Sequence, residues 1–277
     1  MIQQTLLSIS YIETYTRIDD GRSTHFENMD RWVGKAAIVT GASAGIGEKI
    51  AEALVKEGLL VIGLGRRLEN LEALEKRLQG AKGKFYPRQC DITNTEEFQR
   101  VFEWVDTKFE GIHVLVNNAG LWTPKRFIDD DIEGFRKMLD LNVLASAVGV
   151  KEAVASMRRR NIAGHIININ SVTGHWLSFE NPCSLYSTTK HAITTMTETV
   201  RRDLVAVGSR IKITSLSPGV VKTDIVRAAG VPNPEDVFSK FPCLEPENIA
   251  AGVIYVLGTP EHVQITELTI RPVGEML

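Results

Sequence analysis

The sequence is poor in several features by which secreted, membrane-spanning and nucleic-acid-binding proteins are identified. Its 277 residues include 3 cysteines, Cys90, Cys183 and Cys243, whose odd number and wide spacing indicate neither disulfides nor a zinc site. The net charge is -2, so we expect no basic surface for nucleic acid or anionic lipid. No apolar run reaches membrane-spanning length. We therefore expect a cytoplasmic protein without a metal, a nucleic-acid partner or a membrane span.

What the sequence does contain is typical of a globular chain, with 43% hydrophobic and 24% charged residues. This length permits one large α/β domain or two small ones, and neither a linker nor a repeat divides the chain. The first residues, up to about residue 28, are polar and irregular, and Met29 is a second candidate for the initiating methionine. We predict an irregular extension over residues 1–30 and one domain over residues 31–277.

Beyond the extension, short apolar runs alternate with segments of helical periodicity. The apolar runs predict strands over residues 36–39, 59–64, 84–90, 113–116, 164–170, 211–216 and 267–270. The helical patterns cover residues 46–55, 70–78, 98–109, 135–157, 184–207 and 246–257. The first helix is expected to end at Gly58, and residues 224–244 are expected to be irregular. Because the strands are apolar throughout, this order predicts a three-layer α/β fold of the Rossmann type, with a doubly wound parallel sheet in a single domain.

A glycine-rich turn joins the first predicted strand to the first predicted helix. Gly41 permits a tight turn, and Gly45 and Gly47 allow the backbone to approach a ligand closely. The free N–H groups of the helix N-terminus would then face a diphosphate. A turn made only for strand–helix packing is the alternative, and a P-loop is excluded because no Gly-Lys-Ser/Thr follows. The position after the first strand favours a dinucleotide site.

The end of the second predicted strand indicates which dinucleotide is bound. An acidic residue there would accept from a ribose 2′-hydroxyl, whereas arginine accommodates a 2′-phosphate. This chain has Arg66 and Arg67 at that point, about twenty residues after the glycines. A solvated basic loop is the alternative interpretation. The two guanidinium groups favour NADP(H) over NAD(H).

A tyrosine and a lysine lie four residues apart in the helical segment 184–207. On a helix, Tyr186 and Lys190 leave the same face one turn apart. An ammonium group beside a phenol favours the phenolate, so we expect Lys190 to lower the pKa of Tyr186. Such a tyrosine can exchange a proton with a substrate oxygen. The spacing alone also suits an ordinary solvated face, and only the upstream glycine turn favours catalysis.

Together these motifs resemble those of the short-chain dehydrogenase/reductase family, from about residue 32 to residue 272. The other matching segments are Asp91-Ile92, Asn117-Asn118-Ala119-Gly120, Leu141-Asn142-Val143 and Pro218-Gly219-Val220-Val221-Lys222-Thr223. Within the family, the stretches 165–171, 216–221 and 269–272 resemble a farnesol dehydrogenase-like and SDR-family-member-eleven-like subgroup. One departure is that no glycine pair follows the last strand, so oligomer contacts there are less well indicated.

The resemblance implies a role for each of four candidate catalytic residues. Ser171 would hydrogen-bond the substrate oxygen, and Tyr186 would transfer a proton to or from it. Lys190 would lower the pKa of the phenol and hold the nicotinamide ribose, and Asn142 would place a water that links Lys190 to solvent. The resemblance further implies cofactor contacts by Gly41, Ser43, Ala44, Gly45, Ile46, Gly47, Arg66, Arg67, Asp91, Ile92, Asn118, Ala119, Gly120, Tyr186, Lys190, Pro218, Gly219, Val221 and Thr223.

Three loops that follow predicted strands are unusually apolar and are candidates for the substrate site. They contribute Leu121 and Trp122; His175, Trp176, Leu177, Phe179 and Cys183; and Ile225, Val226, Val231, Val237, Phe238 and Phe241. The same residues could instead close the core or a subunit contact. These loops contain no arginine cluster that could bind a charged substrate, so we expect the substrate to be an apolar alcohol or its aldehyde or ketone.

The resemblance favours a terpenoid alcohol such as farnesol as the substrate. Reduction of steroids or other apolar carbonyl compounds is the alternative within the same class. A non-catalytic NADP(H)-binding sensor or scaffold is the alternative from another class, and the presence of all the candidate catalytic groups argues against it. The two long helical segments resemble those that pair between subunits in the family, so we expect a homodimer or a homotetramer.

Overall fold

The computed structural model describes residues 28–177, 183–231, 233–239 and 241–275. The predicted extension lies outside these residues up to position 27. Within the described ranges, seven strands form one sheet: β1 (Ala36–Thr40), β2 (Leu60–Gly65), β3 (Lys84–Gln89), β4 (Val114–Asn117), β5 (His165–Ile169), β6 (Lys212–Pro218) and β7 (Glu267–Ile270). Every pairing is parallel, and the spatial order is β3-β2-β1-β4-β5-β6-β7.

The strand order reverses direction at β1, which has β2 on one side and β4 on the other. The connections that leave the neighbouring strands β1 and β4 run to opposite faces of the sheet, so a crevice opens above the carboxyl ends of these two strands. This crevice is where a doubly wound sheet binds its ligand. The predicted fold class is confirmed.

Helices cover both faces of the sheet and complete the three layers. The helices are α1 (Gly45–Lys56), α2 (Leu68–Arg77), α3 (Thr95–Phe109), α4 (Ile132–Leu139), α5 (Ala145–Arg159), α6 (Tyr186–Ala206), α7 (Ile225–Ala228), α8 (Pro234–Phe238) and α9 (Pro246–Gly258). Apolar residues of α1, α2 and α9 form the core on one face, and those of α3, α5 and α6 form it on the other. Within β1, Ala37 and Val39 face the first core while Ala36 and Ile38 face the second. Burial on both sides explains why the strands are apolar throughout.

The start of the described chain is packed against the body of the domain. Met29 and Trp32 are buried in the core that contains α1 and α9. The Trp32 indole Nε1–H donates to the Leu257 carbonyl at 2.9 Å, and Arg31 donates to the same oxygen. Among the residues that the structure describes, Met29 is thus already part of the packed domain.

The structure corrects three predicted elements. The helix predicted over residues 135–157 is two helices, α4 and α5, joined by a π-helical turn at Asp140–Leu144, where the Ala145 N–H donates to the Asp140 carbonyl. Such a turn inserts an extra residue that periodicity does not reveal. The first helix ends at Lys56 with Glu57 as its C-cap, and the predicted cap, Gly58, is the next residue, with φ +99°. The stretch predicted as irregular, residues 224–244, contains the short helices α7 and α8.

None of the helices in the described ranges is both long and apolar enough to cross a membrane.

A buried histidine at the start of β5 makes the fold sensitive to acid. The His165 Nε2 lies 2.8 Å from the Thr214 hydroxyl, and its buried Nδ1 has no hydrogen-bond partner among the described residues. Burial, aided by the nearby charges of Lys212 and Arg31, lowers the pKa of His165 from 6.5 to about 3. The folded protein therefore keeps this imidazole neutral where the unfolded chain would protonate it.

We expect His165→Leu to reduce the acid sensitivity of folding. Above pH 6.5 the residue is neutral in both states and contributes nothing; as the pH falls from 6.5 toward 3, only the unfolded chain binds the proton. The loss of unfolding free energy is about 1.4 kcal/mol per pH unit for such a group. Urea unfolding between pH 7 and 4 measures the slope, which should become shallower in the variant. The exposed His262→Leu should keep the wild-type slope, and an equal slope in both variants would contradict the assignment.

Candidate active site

A cavity of about 950 Å³ lies above the carboxyl ends of the strands, at the crevice between β1 and β4. Its lining includes the glycine turn, the end of β2, the segment after β4 and the first turn of α6. The predicted cofactor residues that line it are Gly41, Ser43, Ala44, Gly45, Ile46, Arg66, Arg67, Asp91, Ile92, Asn118, Ala119, Gly120, Tyr186, Lys190, Pro218, Gly219, Val221 and Thr223. Residues far apart in the chain thus meet at one surface.

The glycine turn has the shape that a phosphate cradle requires. Gly41 and Gly45 have φ values of +69° and +58°, which side chains rarely adopt. The N-cap of α1 is Ala44, which has no polar side chain to satisfy the first N–H groups, so these remain available to a ligand. Gly47 does not line the cavity. A Cβ there would lie 2.4 Å from the Gly41 carbonyl, so Gly47 is needed for close packing beneath the turn.

Positive charge collects where β2 ends. Arg66 and Arg67 are exposed at the mouth of the cavity, and the Arg67 Nη2 donates to the Ser43 hydroxyl at 3.3 Å. Thr93 also lines the cavity, although no sequence motif indicates it. Its hydroxyl donates to the Asp91 carboxylate at 2.7 Å. Hydrogen bonds from Thr93, and more weakly the charge of Arg66, hold the pKa of Asp91 below its usual value, so the carboxylate stays ionised.

Ser171, Tyr186 and Lys190 come together at the other part of the cavity. Tyr186 is the first residue of α6, and Lys190 follows one turn later with its Nζ 5.6 Å from the centre of the tyrosine ring. The Lys190 ammonium donates to the Ile169 carbonyl at 2.9 Å. Ser171 follows β5 and accepts from the backbone N–H of Thr173 at 3.1 Å. The predicted shared face of Tyr186 and Lys190 is present.

The pKa of the phenol differs from the prediction. Burial raises the pKa of Tyr186 to about 12, and the hydrogen bond with Ser171 only partly opposes this effect. Burial also lowers the pKa of Lys190 to about 8. The expectation that Lys190 pulls the pKa of Tyr186 below its ordinary value does not hold for the protein alone, because burial is the largest effect on the phenol and raises its pKa.

Asn142 lies behind the cavity and does not line it. The π-helical turn points its amide at the segment after β4, where its Oδ1 accepts from the Leu121 N–H at 2.9 Å. Its Nδ2 donates to the Leu121 carbonyl at 2.9 Å and to the Thr189 hydroxyl at 3.1 Å. These contacts join the Leu121 loop to α6 next to Lys190, so Asn142 holds two walls of the site together.

The candidate substrate loops contribute unequally. Leu121, Trp122 and Ile225 line the cavity, together with Thr123, Lys137, Asp140, Leu141, Asp224, Ala228 and Ala229. Val226 is instead buried, and Trp176 and Leu177 are exposed and do not line the cavity. Phe179 lies outside the described residues, as does the side chain of Val237. The apolar loops are therefore only partly a substrate pocket.

A glutamate near the C-terminus holds the loop that follows β6, and no local motif indicates it. The side chain of Glu275 is 2% exposed; its carboxylate accepts from the Val220 N–H at 2.9 Å and from the Arg271 Nε at 2.7 Å. A Cβ on Gly219 would lie 2.5 Å from the Glu275 Oε2. The last residues of the domain thus determine where the cavity-lining Pro218–Gly219 segment lies.

Comparison with known proteins agrees with this geometry. A sequence model described as short chain dehydrogenase matches residues 35–232. A farnesol dehydrogenase from Aedes aegypti is 47% identical over 251 residues, covering 89% of this chain and 99% of that protein. Dehydrogenase/reductase SDR family member 11 from Gallus gallus is 40% identical over 254 residues, covering 90% and 100%.

A solved structure extends the likeness to the fold. The X-ray structure of an alcohol dehydrogenase from the archaeon Thermococcus sibiricus, complexed with 5-hydroxy-NADP, matches with a TM-score of 0.77. It is 28% identical in sequence, and the match covers 88% of this chain and 98% of that chain. Fold and site together define an oxidoreductase that acts on CH–OH groups. More specifically, the chain belongs to the short-chain dehydrogenase family.

The contact between Gly219 and Glu275 leads to a stability prediction. Gly219→Ala should destabilise the protein, because the new methyl group would collide with the Glu275 carboxylate. In a Glu275→Ala background the same change should cost less, with a coupling of about 1 kcal/mol or more between the two sites. Urea unfolding of the four proteins in this cycle measures the coupling. Glu275→Gln retains the bulk and should not relieve Gly219→Ala; additive costs would show that the contact is absent.

Proposed function

We propose that this protein is an NADP(H)-dependent oxidoreductase that interconverts an apolar alcohol and its aldehyde or ketone by hydride transfer. One observation carries the proposal: a single cavity joins the glycine turn and two arginines to the group formed by Ser171, Tyr186 and Lys190. A dinucleotide that spans such a cavity would place its diphosphate at one part and its nicotinamide at the other. A non-catalytic sensor or scaffold would not need the group formed by Ser171, Tyr186 and Lys190.

The residues at the cavity fit NADP(H). The available N–H groups of α1 suit a diphosphate, and Arg66 and Arg67 suit the 2′-phosphate that distinguishes NADP from NAD. The complex of the Thermococcus sibiricus relative with 5-hydroxy-NADP supports the same choice. When bound, the nicotinamide supplies or accepts the hydride, and the protein contributes orientation and proton transfer.

The side chains of this chain would then act on the substrate oxygen. Ser171 donates a hydrogen bond to that oxygen and holds it beside the phenol of Tyr186. Because burial raises the pKa of Tyr186 to about 12, the phenol is protonated at neutral pH and serves as the proton donor in reduction. Lys190 is cationic below its pKa of about 8, and its charge favours the phenolate that remains after transfer.

The substrate side of the cavity supports an apolar substrate. Leu121, Trp122 and Ile225 supply apolar walls, while Lys137 and Asp140 supply one charge of each sign. The farnesol dehydrogenase from Aedes aegypti supports a terpenoid alcohol such as farnesol in particular. Within this proposal, reduction of steroid or other apolar ketones is the second candidate, and a coupled NADPH absorbance panel of prenyl alcohols, steroids and small hydroxy acids compares them.

A homo-oligomer and a cytoplasmic location are also part of the proposal. An apolar group on and beside α4 is exposed, with Ile128 at 81% and Ile132 at 64% of full exposure, and Phe127 and Leu139 nearby. Exposed apolar side chains that lie together can mark a contact with another protein, so a second copy of the chain is proposed to cover them. Free thiols at all three cysteines suit a reducing compartment. Light scattering of the purified protein and cell fractionation test the two statements.

Tyr186→Phe tests the catalytic role directly. Loss of the hydroxyl removes the proton donor but little volume, so turnover should fall by about 10³-fold or more while NADPH affinity stays within a factor of about three. Steady-state assays on the best substrate of the panel, with NADPH fluorescence titration, measure both. Tyr255→Phe, at a more exposed tyrosine on α9, is the matched control and should be fully active. Unchanged turnover in Tyr186→Phe would remove this residue from the mechanism.

Replacing Arg66 and Arg67 by alanine tests the cofactor choice. Removal of both guanidinium groups should weaken NADPH binding about 10- to 100-fold, since charge-assisted bonds to a phosphate are lost. NADH has no 2′-phosphate, so its affinity should change much less. Dissociation constants from fluorescence titration with both dinucleotides give the comparison, and Arg202→Ala on α6 controls for loss of a surface charge. Equal weakening of NADPH and NADH would count against NADP specificity.

A further inference from the structure

A serine next to the site has a backbone conformation that glycine normally adopts. Ser184, two residues before Tyr186, has φ +46°. In the described ranges, two other non-glycine residues share this left-handed region, Glu110 and Asn161, and both follow the end of a helix. A left-handed residue is ordinary at that position. Ser184 instead precedes a helix, so its conformation costs energy and needs an external contact to hold it.

Two hydrogen bonds hold Ser184 in place, and a third joins their acceptor residues to each other. Its hydroxyl donates to the Asp130 Oδ2 at 2.5 Å, and its N–H donates to the Lys125 carbonyl at 2.8 Å. The Lys125 ammonium in turn donates to the Asp130 Oδ1 at 3.0 Å. The side chain of Asp130 is 0% exposed, whereas that of Lys125 is 45% exposed, so the bond from Ser184 is the better shielded of the two. The strained residue is thus tied to a segment more than fifty positions earlier in the chain.

The strained residue sets the entry into α6. The Tyr186 N–H donates to the Cys183 carbonyl at 2.8 Å, which closes a turn with Ser184 inside it. Leu185 is the N-cap of α6 and has no polar side chain to secure the helix start. The direction in which Tyr186 leaves the helix therefore depends on the turn that Asp130 holds. Lys125 also belongs to the segment that supplies Leu121 and Trp122 to the cavity wall.

We propose that Asp130 and Ser184 are positioning residues that hold the phenol of Tyr186 at the substrate oxygen and in fixed relation to the Leu121–Trp122 wall. This inference rests on the proposed function, in which Tyr186 transfers the proton. Neither side chain lines the cavity, so neither touches substrate or cofactor. Misplacement of a reacting group by about 1 Å can lower a rate about 100-fold, so a remote clamp of this kind can control kcat.

The test compares Ser184→Ala, Asp130→Asn and the double variant with wild type. Ser184→Ala should lower kcat about 10- to 100-fold, with NADPH affinity within a factor of about two, because the phenol is displaced but the dinucleotide site is intact. The deuterium isotope effect on kcat with 4-deuterated NADPH should rise, since the reaction step becomes limiting. The double variant should lose no more than the worse single variant, because both changes break one contact.

Asp129→Asn is the matched control, because it removes a neighbouring carboxylate whose partner is the exposed Arg126. It should keep wild-type kcat. A Ser184→Ala protein with wild-type kcat, or one whose loss is explained by less folded protein at an unchanged isotope effect, would overturn the proposal. Additive losses in the double variant would do the same.

The activity of the wild-type protein distinguishes a failure of the proposed function from a failure of this inference. A wild type that turns over no alcohol or carbonyl compound contradicts the function, whereas an active wild type with a fully active Ser184→Ala contradicts only the clamp. Hydrogen exchange over residues 183–190 tests the clamp without turnover. Exchange there should be faster in Ser184→Ala and unchanged in Asp129→Asn; equal exchange in all three proteins would overturn the proposal.

Discussion

The site depends on the contact between the end of β1 and the segment after β4. The Thr40 hydroxyl accepts from the Asn118 N–H at 2.9 Å and from the Ala119 N–H at 3.0 Å, and the Asn118 Nδ2 donates to the Thr40 carbonyl at 2.9 Å. These bonds close the reversal point of the sheet. A Cβ on Gly41 or Gly47 would lie within 3.0 Å of the Asn118 Nδ2, so both glycines are required by this contact as well as by a ligand. The shape of the glycine turn and the packing of the sheet are therefore determined by the same contact.

Burial is the second physical theme of the site. It raises the pKa of Tyr186 and lowers that of Lys190, so both groups are shifted toward their neutral forms. A buried ammonium requires compensation, and the Ile169 carbonyl provides it at 2.9 Å. Desolvation also strengthens every charge interaction made within the cavity. A substrate oxygen that enters this environment therefore meets a phenol that is protonated and a cation that is poorly solvated.

Several walls of the site are held by partners far away in the chain. Asn142 holds the Leu121 loop, Glu275 holds the segment after β6, and Asp130 holds the start of α6. Each uses a buried polar side chain to bond a backbone or hydroxyl group of a segment that is distant in the chain. The reacting groups thus lie at the cavity surface, whereas the residues that fix the position of the cavity walls lie behind that surface.

The sequence by itself determined the order of strands and helices, the glycine turn, the arginines after β2 and the spacing of Tyr186 and Lys190, because periodicity and turn chemistry are local properties. Only the tertiary structure decided the π-helical turn at Asp140–Leu144, the raised pKa of Tyr186 and the contacts of Asp130 and Glu275. Burial and long-range hydrogen bonds depend on which segments meet, and no pattern within one segment records its neighbour. The motifs name the reacting groups, whereas packing decides where those groups point and how they ionise.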